Sequence, residues 1–235
     1  MYILSVDTCD QEGELALGYL ESHELSWRHV ERWQRDKSHS ELITDVFSKM
    51  MAKAQIGISD IKSLILVNGP GSFTGVRVGF NFSRALGFLH SIQLMTVDGL
   101  TLEIVPFLKR PGHYFVLKKA FRDLVYVKEI VISDSLSVSA QFEPTSRTFG
   151  QVLQTADPLR HTFIVENIDV DFEKSLQNKM PETRYHQRKN SPSTHLKVAH
   201  LITSKSPLLM PTDWKSLSPL YIRDSEPEEK LKPRL

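Results

Sequence analysis

The sequence predicts an α/β protein whose first half runs β-β-β-α-β-α-β. Three observations predict it. Three apolar segments at the start are separated by short polar turns. Two later segments carry apolar residues at helical spacing. Between those two, an apolar run feeds a turn rich in glycine. Tyr2 to Val6 reads as the first strand. Glu14 to Leu20 and Glu24 to Val30 read as two more, joined through Gly13 and Glu21-Ser22-His23, and such short connections imply an antiparallel meander. The period then changes. Leu42, Ile43, Val46, Phe47, Met50, Met51 and Ala54 recur at helical spacing, with Ser38 and Glu41 as a capping box and Gly57 as a stop. Leu64 to Val67 reads as a buried strand, followed by the glycine turn, a helix to about His90 and a strand from Ile92 to Val97.

The turn reads Gly69-Pro70-Gly71-Ser72-Phe73-Thr74-Gly75-Val76-Arg77-Val78-Gly79. Glycines between a strand and a helix allow tight folding and close approach, and N–H groups at a helix start can hold an anion. A P-loop would end in Gly-Lys-Ser/Thr, and no lysine is present. A dinucleotide loop reads G-x-G-x-x-G, whereas here the third glycine falls one place late.

A second region starts near Pro106, with Lys109-Arg110-Pro111-Gly112 as a hinge candidate. His113 to Leu117, Asp123 to Ile132, Val138 to Phe142 and His161 to Glu166 read as strands. Ser191-Pro192 can start a helix carrying Leu196, Val198, Ala199, Leu201 and Ile202. The charged, proline-bearing tail from Asp224 has a disorder-prone composition. No internal sequence repeat is evident.

At 235 residues, with 40% hydrophobic and 24% charged content, the chain can bury a real core. Its net charge of +1 argues against strong general affinity for nucleic acid or membranes. Cys9 is the one cysteine, so no internal disulfide can form. The opening Met1 to Val6 lacks a basic leader, and no apolar run approaches the roughly 20 residues of a membrane helix. A cytoplasmic protein without membrane contact is expected.

The chemistry expected of known sites is incomplete. A two-metal nuclease needs carboxylates at the ends of neighbouring strands. Asp7 stands at the first such place and Glu41 could add one from a helix, but the next strand ends in Asn68. Asp7 is therefore read as closing the strand end or holding the glycine turn. A phosphate-wrapping hairpin after the first strand would need early glycine, yet Asp7, Asp10 and Glu12 crowd that place with like charge. The segment Ile164 to Asp169, where a second nucleotide-binding turn would fall, has no glycine. No histidine pair has metal-binding spacing; His195 and His200 lie five apart and face differently, and no metal site is expected. Ser72 sits between Gly71 and Phe73, which is not a nucleophile elbow, and Cys9 reads as a small structural residue. Neither a serine hydrolase nor a peptidase is indicated.

The second helix gives the positive clue. Val78, Phe82, Ala85, Leu86 and Leu89 form one side, suited to the chain's own sheet. Gly79, Ser83 and Gly87 recur at i, i+4 and i+8 as a strip of small side chains flanked by Val76 and Phe80. A helix apolar on two sides is buried on two sides. The strip fits either the chain's own first helix or a partner subunit. Arg184, His186, Arg188 and Lys189 cluster around Tyr185 and, with Lys197, Lys230, Lys232 and Arg234, could touch RNA phosphates, although a solvated loop suits the near-zero net charge better.

The eleven residues from Gly69 to Gly79 resemble the signature of the bacterial TsaB (YeaZ) family. Ile3 to Thr8 resembles its opening strand, His39-Ser40-Glu41-Leu42 its first-helix motif, and Pro219-Leu220-Tyr221-Ile222-Arg223-Asp224 its C-terminal segment. Lys119-Ala120-Phe121 departs from the family's Asp-Ala-Arg. The resemblance spans most of residues 1–105 and is patchy beyond. It implies an actin-like ATPase (ribonuclease H-like) fold of two lobes, 1–105 and a reduced 106–223, with 224–235 as a tail. It also implies a protein with no catalytic site or cofactor of its own. Such proteins partner a TsaD catalytic subunit and the ATPase TsaE, where ATP and Mg act. The complex transfers a threonylcarbamoyl group to N6 of adenosine 37 in tRNA. The resemblance implies pairing, with TsaD or as a homodimer, through His39, Leu42, Ile43, Val46, Val76, Gly79, Phe80, Ser83 and Gly87. The glycine-turn residues are Gly69, Gly71, Ser72, Thr74, Gly75 and Arg77. tRNA would be met through the complex. The alternative is a stand-alone ATPase or phosphotransferase of the same fold.

Overall fold

The computed structural model describes residues 1–34, 39–120, 124–141, 143–155, 157, 160–166, 174, 178, 185–188 and 193–222. In chain order its elements are β1 (Tyr2–Asp7), β2 (Glu12–Glu21), β3 (Glu24–Gln34), α1 (His39–Ala54), β4 (Ile61–Val67), α2 (Phe73–His90), β5 (Gln93–Val97), α3 (Gly99–Glu103), β6 (Gly112–Lys119), β7 (Leu124–Ile132), β8 (Val138–Ala140), β9 (Thr145–Thr148), α4 (Phe149–Thr155), β10 (His161–Glu166), β11 (Tyr185–Arg188), α5 (Thr194–Thr203) and β12 (Met210–Thr212). They divide into two compact units. One comprises Met1–Gly99 with Ser193–Tyr221, the other Leu100–Pro192 with Ile222–Leu235. Residues 193–221, placed with the second lobe by the sequence, therefore cluster with the first.

The first unit is a six-stranded sheet in the order β12-β5-β4-β1-β2-β3. β1 pairs parallel with β4 and β4 with β5, while β1-β2-β3 form the expected antiparallel meander. The continuous apolar run of β4 is buried along nearly its whole length, as a central parallel strand requires. β3 alternates between exposed and half-buried positions over most of its length, the pattern of a strand with one wet face. Leu4, Val6, Leu15, Leu17, Leu64, Leu66 and Leu94 of the sheet pack with Ile43, Phe47, Met50 and Met51 of α1. The helical spacing read in residues 42–54 thus marks a core face. Its end differs from expectation. Gln55 takes the left-handed conformation at φ 56° just after the helix, and Gly57 instead precedes a short 3-10 turn. Ser38 lies outside the described residues.

The second unit repeats the pairing without repeating the sequence. β6 pairs antiparallel with β7 and parallel with β10, which pairs parallel with β11. Those are the relations that β1 has to β2 and β4, and β4 to β5. Phe115, Leu117, Val125, Val127, Val152, Phe163 and Val165 form its core. On the other face of β6, Tyr114 donates its hydroxyl to the Arg110 carbonyl at 2.7 Å, and burial raises its pKa against the pull of the Arg110 charge. The expected strand from Val138 stops at Ala140 and Phe142 lies outside the described residues, as do Arg184, Lys189 and the tail from 223. Lys197 is buried within α5 and does not join a solvated basic surface.

The return of α5 to the first unit is held by buried groups. Val198 and Leu201 are fully buried, the Thr194 hydroxyl donates to Asp7 at 2.7 Å, and the His195 N–H donates to Glu14 at 2.8 Å. A chain ending after residue 192 loses all of these and leaves two core carboxylates short of donors. Its first unit should melt well below that of the full chain and become sensitive to limited proteolysis; an unchanged melting profile would contradict this packing.

Candidate functional site

The glycine turn is built against the end of β1. A Cβ at Gly71 would lie 2.2 Å from the Cys9 carbonyl oxygen, so only glycine lets the two backbones meet there. Gly69 has φ +121°, and a Cβ on it would lie 2.9 Å from the Leu220 carbonyl oxygen. The Gly69–Pro70 peptide is cis. Hydrogen bonds lace the turn to β1: Ser72 N–H to Cys9 C=O at 2.7 Å, Thr8 Oγ1 to Gly75 C=O at 2.7 Å, and Cys9 Sγ to Val67 C=O at 3.2 Å. Ser72 caps α2, its hydroxyl accepting from the Gly75 N–H at 3.3 Å. Cys9 is thus a small buried structural residue, and Thr74 is exposed on the first turn of α2.

The other end of the chain completes this site. Leu220 N–H donates to Asn68 C=O at 2.8 Å. The Arg77 guanidinium lies 3.9 Å from the Phe73 ring centroid and donates through Nε to the Tyr221 hydroxyl at 2.9 Å. Phe73 and Tyr221 rings sit 5.0 Å apart. The sequence showed both motifs; their meeting depends on the tertiary fold. Arg223 and Asp224 lie outside the described residues.

The acidic residues have structural partners. Asp7 accepts from the Cys9 N–H at 3.0 Å and from Thr194, as expected for a group that closes the strand end. Glu14, read only as a strand residue, is buried; it pairs with Arg32 Nε at 2.8 Å and accepts from His195 N–H. Sequence reasoning missed this cluster because Glu14 and His195 stand 181 positions apart. It missed a second in the other unit, where His113, Glu129 and His161 converge.

The faces of α2 depart from the expectation, although Leu86 is buried in the core as expected. A Cβ added to Gly79 would lie 2.6 Å from Thr8 Oγ1 and 3.2 Å from Leu66, and one added to Gly87 would lie 2.8 Å from Leu94. Ser83 is fully buried between them. The small strip therefore lies on the chain's own sheet, where the absence of side chains lets the helix come close, and it presents nothing to a partner. Val78 and Phe82 are half-buried, while Ala85 and Leu89 are exposed, Leu89 by 68%. Val76 and Ile43 are buried, whereas Leu42, Val46 and Phe80 are half-buried at the margin of the core. His39 opens α1, and its side chain lies outside the described residues.

A six-stranded sheet of this order with helices α1 and α2 is the first half of an actin-like, ribonuclease H-like fold, and the second sheet repeats its pairing. The family model for TsaD, tRNA N6-adenosine threonylcarbamoyltransferase, matches residues 34–128. The chain is 27% identical over 182 residues to the tRNA N6-adenosine threonylcarbamoyltransferase of Bacillus subtilis, covering 64% of this chain and 50% of that one. It is 27% identical over 99 residues to the tRNA threonylcarbamoyladenosine biosynthesis protein TsaB of Haemophilus influenzae, covering 42% and 40%. The matched stretch thus spans half or less of either relative. YeaZ from Pseudomonas aeruginosa has the same fold nearly end to end, with TM-score 0.66 and 16% identity over 94% of this chain and 99% of that one. The first half of the chain is thus similar to TsaD and TsaB proteins, and its fold to YeaZ. Among the described residues, no helix is long and apolar enough to cross a membrane.

Three variants check the site. Gly71→Ala forces backbone apart at Cys9 and should cost more than the roughly 1–3 kcal/mol of ordinary overpacking, read as a large fall in melting temperature. Ser83→Leu should cost about 1–3 kcal/mol of stability while leaving any association intact per folded molecule. Ser83→Ala, which removes a buried hydroxyl with no hydrogen-bond partner among the described residues, should be neutral or stabilising. Loss of association at unchanged melting temperature in Ser83→Leu would return the strip to an interface.

Proposed function

We propose that the chain is a non-catalytic accessory subunit in tRNA threonylcarbamoyladenosine biosynthesis, which binds and activates a TsaD-type catalytic subunit. The likeness to TsaB and the TsaD family match support the pathway. One observation carries the non-catalytic part: donors that a phosphate would need at the glycine turn are occupied within the chain. Ser72 N–H is held by Cys9 C=O and Gly75 N–H by the Ser72 hydroxyl, while Asp7 is occupied by Cys9 and Thr194.

The binding face is the outer side of α1 and α2. Leu42 and Val46 on α1 join Val78, Phe82, Ala85 and Leu89 on α2, the last four spaced as one helical face. This replaces Gly79, Ser83 and Gly87 in the partner-binding set. The same face can pair two copies of the chain when the catalytic subunit is absent. ATP and Mg act in a TsaE-type ATPase, tRNA is met through the assembled complex, and the setting is the cytoplasm.

Alone, the purified chain should not modify tRNA; with TsaD, TsaE, the threonylcarbamoyl adenylate and tRNA, modification should appear. Leu89→Asp places a charge on an exposed position, so the melting temperature should hold while TsaD affinity falls tenfold or more, about 1.4 kcal/mol. Turnover by the isolated chain, or saturable ATP binding with hydrolysis lost in Asp7→Asn, would replace this reading with the stand-alone ATPase.

A further inference from the structure

The second unit gathers three side chains of metal-ligand type on one sheet face. β10, β6 and β7 are consecutive neighbours, with His161 beside His113 and Phe115 beside Glu129. Residues two apart on a strand share a face, so His113, His161 and Glu129 stand together. Glu129 Oε1 lies 3.2 Å from His161 Nε2 and 3.9 Å from His113 Nδ1, and the three ligand atoms all fall within 4.8 Å of one another.

The outward nitrogens are already held. His161 Nδ1 lies 2.9 Å from the Asp157 N–H and 3.1 Å from its carbonyl, and His113 Nε2 lies 3.2 Å from an Arg160 Nη. Both rings are thereby turned so that their other nitrogens converge on one carboxylate oxygen. Hydrogen bonding alone does not complete the group. Glu129 can accept from His161, but His113 Nδ1 is buried with no hydrogen-bond partner among the described residues. A buried polar atom left so is destabilising, and rare enough to need a cause.

We propose that His113, Glu129 and His161 form a binding site for a zinc-class divalent ion, with a fourth position open to water. Two imidazoles and one carboxylate are a zinc ligand set, whereas Mg and Ca take mainly oxygen. Ligand distances of about 2.0–2.2 Å put tetrahedral ligand atoms roughly 3.3–3.5 Å apart. The His161–Glu129 pair is already close to that spacing, whereas His113 has to close on Glu129 by about 0.5 Å and on His161 by up to about 1.3 Å. For His161 to present an unprotonated Nε2, its Nδ1 must carry the proton and donate to the Asp157 carbonyl, the outer support usual for a metal-bound imidazole, and the Asp157 N–H that donates to Nδ1 at 2.9 Å must turn away. For His113 to present an unprotonated Nδ1, its Nε2 must carry the proton. That contact with Arg160 then opens, and the exposed Arg160 turns to solvent. The ion would tie three strands together in the lobe whose sequence departs most from the family pattern. The inference does not depend on the proposed function.

The test uses the full chain stripped of metal with a chelator. Co(II) titration should give one equivalent with the visible absorption of a four-coordinate site, displaced by Zn(II) and not by Mg(II). Zinc should raise the melting temperature, and binding should weaken in acid as protons compete for the ligand nitrogens. His113→Gln and His161→Gln should each weaken binding at least tenfold, and Glu129→Gln should weaken it too. His200→Gln, at an exposed position of α5, should bind like the unaltered chain. His161 is nearly buried; if its variant fails to fold, His113→Gln, checked by near-UV circular dichroism, decides. No uptake, or equal uptake in folded His113→Gln, overturns the proposal.

Discussion

The contact between the glycine turn and the end of β1 governs the first unit. Because Gly71 carries no side chain, the turn closes directly on the Cys9 carbonyl, which accepts from the Ser72 N–H, while the Thr8 hydroxyl donates to the Gly75 carbonyl. These bonds fix where α2 starts and how near the sheet it runs. At that distance only small residues fit beneath the helix, and Gly79, Ser83 and Gly87 supply them. Leu89 then faces away from the sheet with Val78, Phe82 and Ala85 beside it, while Val76 and Leu86 stay in the core. The same contact occupies donors that an anion-binding helix start would offer. An occupied turn and an outward apolar face are thus two consequences of one close approach.

A second constraint ties residues 193–221 to this unit. Ser193 makes no side-chain cap for α5. The cap comes from elsewhere: Glu14 accepts the His195 N–H and Asp7 the Thr194 hydroxyl, placing two carboxylates at the positive end of a helix. Arg32 offsets the Glu14 charge from the neighbouring strand. Carboxylates that look catalytic by position are, in this geometry, the anchors of a returning helix. β12 then extends the sheet beside β5, and Leu220 reaches the glycine turn.

Most of the first unit was legible in the sequence because periodicity reports burial. The meander, the parallel strands and both helices appear where the period predicts. Two features were not legible, for different reasons. The faces of α2 were partly exchanged because hydropathy assigns large apolar residues to the core, whereas close helix–sheet packing is decided by size. The second unit was harder because β9 and β11 span only four residues each and read as loop. Topology carries the repeat that the sequence hides. The His113–Glu129–His161 group comes from three strands paired in space, and no local spacing encodes it.

The outward face of α2 bears on the partner proposed for this chain. Singly exposed apolar residues are ordinary on protein surfaces. A row at i, i+4, i+7 and i+11 is different, because it presents one continuous ridge. Phe82 stacks edge-on against Phe47 of α1 at 5.2 Å, which sets the two helices side by side and adds Leu42 and Val46 to that ridge. At its far end Phe88 meets Trp214 at 4.7 Å, yet Phe88 and Leu89 remain mostly exposed. Burying more small residues under α2 cannot cover this ridge, since the strip beneath already touches Thr8, Leu66 and Leu94. What remains is cover from outside the unit. The tighter α2 is held to its sheet, the more rigid the ridge becomes, and a rigid apolar ridge loses little conformational entropy when a partner closes over it.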